Sequence, residues 1–203
     1  FQIWLNLPKK SKKADPYYKM LWKEDIPHII VTDKQAKHTN IKLIAGSYED
    51  KTALSPTPDS WAADPNNHVQ IWTIKMDANA VFHIPKTENE VTRSLYFYQG
   101  DACMIGDTQI KENHLIELDA GKEVEFKNGS KEGYYLFLQG RPINEPHVQY
   151  GPFVANTQAE LQDTMQAYRR TQFGGWPWAS SDPVHDRSSG RFSRLPDGQE
   201  VMK

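Results

Sequence analysis

The side chains of this chain whose types could do chemistry are seven histidines, one cysteine and a close pair of glutamates. The histidines are scattered. His28, His38, His147 and His185 lie far apart with no ligand spacing, His68 opens a strand-like run, and His114 follows a turn. For each of them, an imidazole satisfied by a backbone carbonyl is the plainer reading, although folding can bring two together. Glu88 and Glu90 are two apart, so on a strand they share a face. Two such carboxylates can divide acid and base duties; the alternative is a solvated loop tip beside Lys86 and Asn89. Cys103 lies between Ala102 and Met104 in an apolar run, where a buried thiol behaves as a small hydrophobe with its pKa pushed up. A lone cysteine excludes an internal disulfide and a CxxC zinc site, and suits a reducing compartment. No GxSxG, P-loop or GxGxxG occurs. The lysines of KKSKKADP (Lys9–Pro16) form either a patch for phosphate or an acidic partner, or a solvated connector. Tyr96, Phe97, Tyr98, Tyr134, Tyr135 and Phe137 either line a ligand cavity or fill a barrel, and small barrels are usually filled.

Composition narrows the classes. The 203 residues suffice for one domain with a real core. Lys+Arg total 24 against 26 Asp+Glu, which lacks the basic excess of a protein that neutralises phosphates, so no direct nucleic-acid contact is expected. Mean hydropathy is -0.72 and no apolar run approaches the ~18–20 residues that span a bilayer, so no membrane partner is expected either.

The elements that must position these residues read as mostly β. HIIVT (His28–Thr32), IKLIAG (Ile41–Gly46), HVQIWTIKM (His68–Met76), AVFHI (Ala80–Ile84) and RSLYFYQG (Arg93–Gly100) have strand length and composition. So do ACMIG (Ala102–Gly106), HLIEL (His114–Leu118), EVEFK (Glu123–Lys127) and YYLFLQG (Tyr134–Gly140). Alternation is visible in Val69, Ile71 and Thr73 against Gln70, Trp72 and Ile74, and DAN, GD, DAG and NGS punctuate the runs. Short strands at close spacing predict an antiparallel sandwich or barrel. Tyr17–Asp25 reads as one helical turn or a loop, and Asp50–Asn67 as a long loop. One helix is expected over TQAELQDTMQAYRR: Thr157 and Glu160 have capping-box spacing, Leu161, Met165 and Tyr168 make one stripe, and Arg169 and Arg170 suit its C-terminal end. The remainder reads as an irregular tail, anchored by Trp176 and Trp178 if it packs. FQIWLNLP at the start reads as a strand in mid-course stopped by Pro8, and the expectation is of a further segment upstream of Phe1.

Three stretches resemble the pirin family of the cupin superfamily. FQIWLNLPKKSKKADPYY is similar to the segment joining the two barrels of a pirin, GRPINEPHVQYGPFVANTQAEL (Gly140–Leu161) to the exit from its second barrel, and TQFGGWPWASSDPVHDRSSGRF to the tail of bacterial members. The resemblance covers essentially the whole chain. It implies an all-β fold: an antiparallel cupin-type β-barrel (double-stranded β-helix, or jelly roll) with one C-terminal helix and an irregular tail. Residues 1–16 are then the last strand and linker of a missing N-terminal cupin, 17–155 the C-terminal cupin barrel, and 156–203 the helix and tail.

The same resemblance places iron or another transition metal in the missing N-terminal barrel, held by a His-x-His pair and a later His and Glu. No ligand of that set falls on this chain. In the equivalent stretch Val81–Gly100, His83 has Pro85 where a second histidine is needed, and a register through Lys86 and Glu88 offers an ammonium that cannot ligate. The later pair falls on about Phe126 and Asn128. The expectation is therefore no catalytic, cofactor-binding or metal residue here, and a structural role beside the metal-bearing barrel of a cytoplasmic, bacterial parent. Two alternatives stand: a parent resembling quercetin 2,3-dioxygenases, which cleave a flavonol with O₂, and a binding module resembling the nuclear, redox-sensitive transcription co-regulators among pirins. The expected partner is the missing N-terminal cupin, with a homodimer through Phe1–Leu7 as the other use of an unpaired strand.

Overall fold

The computed structural model describes residues 1–176, 179–181, 184–195 and 198–203. The chain divides into two compact units, Leu21–Pro142 and Phe1–Met20 with Ile143–Lys203. The first unit holds β1 (His28–Thr32), β2 (His38–Ala45), β3 (Ser47–Tyr48), β4 (Lys51–Thr52), β5 (Gln70–Met76) and β6 (Val81–Ile84). It continues with β7 (Thr92–Gln99), β8 (Ala102–Ile105), β9 (Thr108–Lys111), β10 (His114–Glu117), β11 (Val124–Asn128) and β12 (Gly133–Gly140).

A six-stranded sheet runs β1-β2-β5-β12-β7-β10 and a four-stranded sheet runs β6-β11-β8-β9, with antiparallel pairing throughout. Alternation sets the inner faces. β7 turns Arg93, Leu95 and Phe97 inward, and β5 turns in Trp72, Ile74 and Met76. The buried face of β5 is thus the one carrying the tryptophan, and Ile71 and Thr73 lie on the more exposed face. Phe82, Ile84, Cys103 and Phe126 of the smaller sheet complete the core. Its rings interlock: Phe97 stacks on Tyr135 at 4.7 Å, Phe126 meets Tyr135 edge-on at 5.2 Å, and Trp72 lies 4.8 Å from Phe137. This is the all-β, antiparallel architecture read from the sequence.

The long polar stretch before β5 carries β4 and two 3-10 turns, Trp61–Ala63 and Pro65–Asn67, capped by the side chains of Ser60 and Asp64. Tyr17–Asp25 contains no helix: Trp22 O accepts from the amides of Asp25 and Ile26 in a turn.

The second unit holds β13 (Val148–Tyr150), β14 (Phe153–Ala155), the helix α1 (Gln158–Thr171), β15 (Phe192–Arg194) and β16 (Glu200–Met202). α1 begins with the full capping box, Thr157 Oγ1 accepting from Glu160 N and Glu160 Oε2 accepting from Thr157 N. It ends at Gln172, in the left-handed region at φ 51°. Leu161 is buried, and Tyr168 packs on Phe153 at 5.5 Å and on Phe173 at 5.2 Å. Two sequence expectations change here. The tail is not wholly irregular, because Phe192–Arg194 pairs with Glu200–Met202 across a Gly198 turn; both strands are three residues long, too short for periodicity to register. Phe1–Leu7 has strand composition but enters no ladder among the described residues, since composition alone supplies no neighbouring strand to pair with. Trp176 is 58% exposed with its indole Nε1 donating to Ser180 O, and Trp178 lies outside the described residues.

Candidate functional site

One end of the barrel gathers a connected set of polar side chains of the first unit. The strand registers bring four pieces together there: residues 66–68 before β5, the loop 85–91 between β6 and β7, the turn 118–123 between β10 and β11, and Arg141 just after β12. Thr87 N donates to Ala120 O at 2.8 Å, tying loop to turn. A Cβ on Gly121 would fall 2.1 Å from Asn89 Oδ1, so a larger residue there displaces the Asn89 side chain.

Arg141 organises the outer layer. Its Nη2 pairs with Glu88 and its Nη1 with Glu90, while its Nε donates to Asn66 O at 3.1 Å. Its amide donates to Asn67 O at 2.7 Å and its carbonyl accepts from the Trp61 indole at 2.8 Å. His68, held at φ 50°, places Nε2 3.4 Å from Glu88 Oε1. Glu88 and Glu90 do lie near each other, but one guanidinium bridges both, so they form a clamp and not a free acid–base pair.

Arg93 lies beneath. Its residue is 3% exposed, on the same inner face as Leu95 and Phe97. Nη1 donates to the carbonyls of Asp119, Ala120 and Lys122, each at 3.2 Å, and the guanidinium carbon sits 5.7 Å from the centre of the Phe137 ring. Nε and Nη2 are buried and have no hydrogen-bond partner among the described residues. Burial lowers the pKa of the guanidinium, opposed by the charge of Asp119. Sequence reading passed over Arg93, Arg141 and His68 as site residues. The signal for Arg93 was present, because an i, i+2 count from Leu95 and Phe97 puts a cation on the core face.

The residues weighed for a metal sit apart. His83 points outward from β6, its Nδ1 3.3 Å from Glu123 and its Nε2 3.5 Å from Glu125. Phe126 is fully buried in the core. Asn128 is a polar strut: Nδ2 donates to Met76 O, Asp77 O and Lys131 O, and Oδ1 accepts from the Tyr135 hydroxyl at 2.8 Å. His38 contacts Thr32 Oγ1, and His114 contacts the carbonyls of Lys111 and Glu112. Among the described residues no three His, Cys, Asp or Glu side chains converge as metal ligands, so these donors do not fit the transition ion that the fold implies. Cys103 is buried with its thiol pushed up to about 11 by desolvation, opposed by a hydrogen bond with Tyr135. Of the six aromatics, Phe97, Tyr135 and Phe137 fill the interior, whereas Tyr96, Tyr98 and Tyr134 lie on the other face.

Two cavities are lined by other residues. One of about 500 Å³ is bounded by Asp33, Tyr48, Phe82, His83 and Glu125. In the second unit, one of about 820 Å³ is bounded by Lys9, Lys13, Asn156, Glu160, Thr164 and Phe173.

Comparison with known proteins fits this arrangement. The chain is 31% identical over 176 residues to the Pirin-like protein of Solanum lycopersicum, covering 85% of this chain and 55% of that one. It is 27% identical over 178 residues to Pirin of Homo sapiens, covering 85% and 56%. The crystal structure of a quercetin 2,3-dioxygenase from Acinetobacter baumannii superposes with a TM-score of 0.71 at 28% identity, over 85% of this chain and 56% of that one. The chain thus spans a little over half the length of each of these relatives. Residues 71–174 match the family model of the Pirin C-terminal cupin domain. On that match, which spans half of the chain, the chain belongs to the pirin family.

Proposed function

We propose that this chain is the structural, metal-free cupin lobe of a pirin-type protein, and that the reactive metal belongs to a second, N-terminal lobe of the parent. The observation that carries the reading is how the barrel interior is used. Positions that would offer ligands hold Phe126 and Asn128, both already committed to packing or to four hydrogen bonds, and the nearest histidine, His83, faces outward onto two glutamates. An interior closed by interlocked rings provides a rigid body and little room for chemistry. By likeness to the Acinetobacter baumannii enzyme, the parent would cleave flavonols with O₂, in the cytoplasm; this lobe would shape the approach to its metal.

The N-terminal lobe is also the proposed partner of residues 1–7. Ile3, Trp4 and Leu5 are 38%, 63% and 39% exposed, an apolar run better suited to a protein contact than to water. A homodimer through the same run is the competing use. Loading the chain with Fe(II), desalting it and measuring metal tests the central claim. The expected content is below about 0.1 ion per chain, with flavonol turnover in a two-lobed parent only. One tightly held ion per chain would overturn it.

A further inference from the structure

Arg93 is the buried charge that the structural role does not use in full. The three carbonyl bonds that fix the turn 119–122 all fall on Nη1. Nε and Nη2 are the two nitrogens that present parallel N–H bonds along one edge of a guanidinium, the edge that grips a carboxylate in a two-point fork. In Arg93 that edge is buried, and neither nitrogen has a hydrogen-bond partner among the described residues. No acidic side chain among the described residues comes within ion-pair distance. Asp119, whose charge acts on Arg93, instead receives Lys122 Nζ at 3.0 Å and the amide of Gly121 at 3.0 Å. A cation out of water without a counter-ion is strongly disfavoured, and its orphan donors more so. If the protein needed only the turn held, a lysine ammonium with its three donors would meet the same carbonyls without leaving a second edge unused.

We propose that the Nε/Nη2 edge of Arg93 is a receptor for the carboxylate of a small organic anion, taken in beneath the loop 85–91 and the turn 118–123. Position supports this. Three carbonyls hold Nη1 and the Phe137 ring lies 5.7 Å from the guanidinium carbon, so the edge is restrained before the ligand arrives. Among the backbone hydrogen bonds of the described residues, loop and turn are joined by Thr87–Ala120 alone, a contact that can open to admit a ligand of formate or acetate size. The Arg141 clamp on Glu88 and Glu90 keeps these two carboxylates in the outer layer, bound to a guanidinium of their own.

The test is a titration of the ¹⁵N-labelled chain with sodium formate and sodium acetate, at fixed ionic strength held with sodium chloride. The Arg93 Nε–H resonance, assigned by its contacts to the Phe137 ring, is expected to move saturably with either carboxylate and not with chloride. The melting temperature is expected to rise by about 5 °C or more at a hundredfold excess over Kd. Arg93→Lys, which keeps the charge and loses the fork, is expected to bind at least tenfold more weakly. A resonance unmoved by carboxylate, meaning that the edge holds water only, overturns the proposal. An equal rise in melting temperature for Arg93→Lys overturns it as well. Should Arg93→Lys not fold, the resonance of the unaltered chain decides alone.

Discussion

Asn128 is the side chain on which the most buried hydrogen bonding converges. Its amide serves three carbonyls and its oxygen receives the Tyr135 hydroxyl, which joins the end of β11 to the start of β12 and to the end of β5. Space for it is made by Gly133, where a Cβ would stand 2.2 Å from the Asn128 oxygen. Asn128→Ala strands these partners in a buried site, so unfolding free energy should fall by about 2–4 kcal/mol in urea titration; a loss under about 1 kcal/mol would show that the partners re-pair. Cys103 makes a different prediction. Its thiol titrates near 9.0 when solvated and at about 11 in the fold. Below pH 9 both states hold the proton and the stabilisation is complete. Between 9 and 11 the unfolded chain has lost its proton while the native one keeps it, so stability falls as pH rises through that window, by about 2–3 kcal/mol at most. Tyr135, whose hydroxyl is pushed up by burial and by Cys103, steepens the same trend. Urea denaturation from pH 8 to 11 should show the decline, and Cys103→Ala should flatten it.

Individual elements were legible wherever a strand buries one face with large apolar residues. β7 and β12 alternate or fill with Leu, Phe and Tyr over eight residues, and their sequence limits fall within one residue of the observed ones. β9, TQIK, escaped notice because three of its four residues are exposed and polar, so no period is imposed on it. α1 was legible from its first turn. Its cap is local chemistry, Thr157 with Glu160, and needs no tertiary partner to be read. Thr157→Ala should therefore cost about 1 kcal/mol, seen as a lower urea midpoint with an unchanged m-value; Thr157→Ser should recover most of it. What no local pattern encodes is adjacency. Phe137 pairs with Trp72 on one side and Leu95 on the other, partners more than forty residues away, and the mouth exists only because of such pairings. Arg141 and Glu88 are remote in sequence and in contact in the fold, which is why the glutamates could be found but the residue that neutralises them could not.

The molecule combines a ring-filled barrel in one unit with an exposed apolar run in the other. At one end of that barrel Arg141 clamps Glu88 and Glu90 of the loop 85–91, and Arg93 holds the turn to which that loop bonds. That clamp has an optical consequence. The carbonyl of Arg141 accepts from the indole of Trp61, so a chromophore is wired directly to the residue that draws both glutamates together. Trp61 is one of six tryptophans, so with the other five replaced by phenylalanine its ultraviolet emission becomes a gauge of how firmly the Arg141 backbone is held at the barrel end.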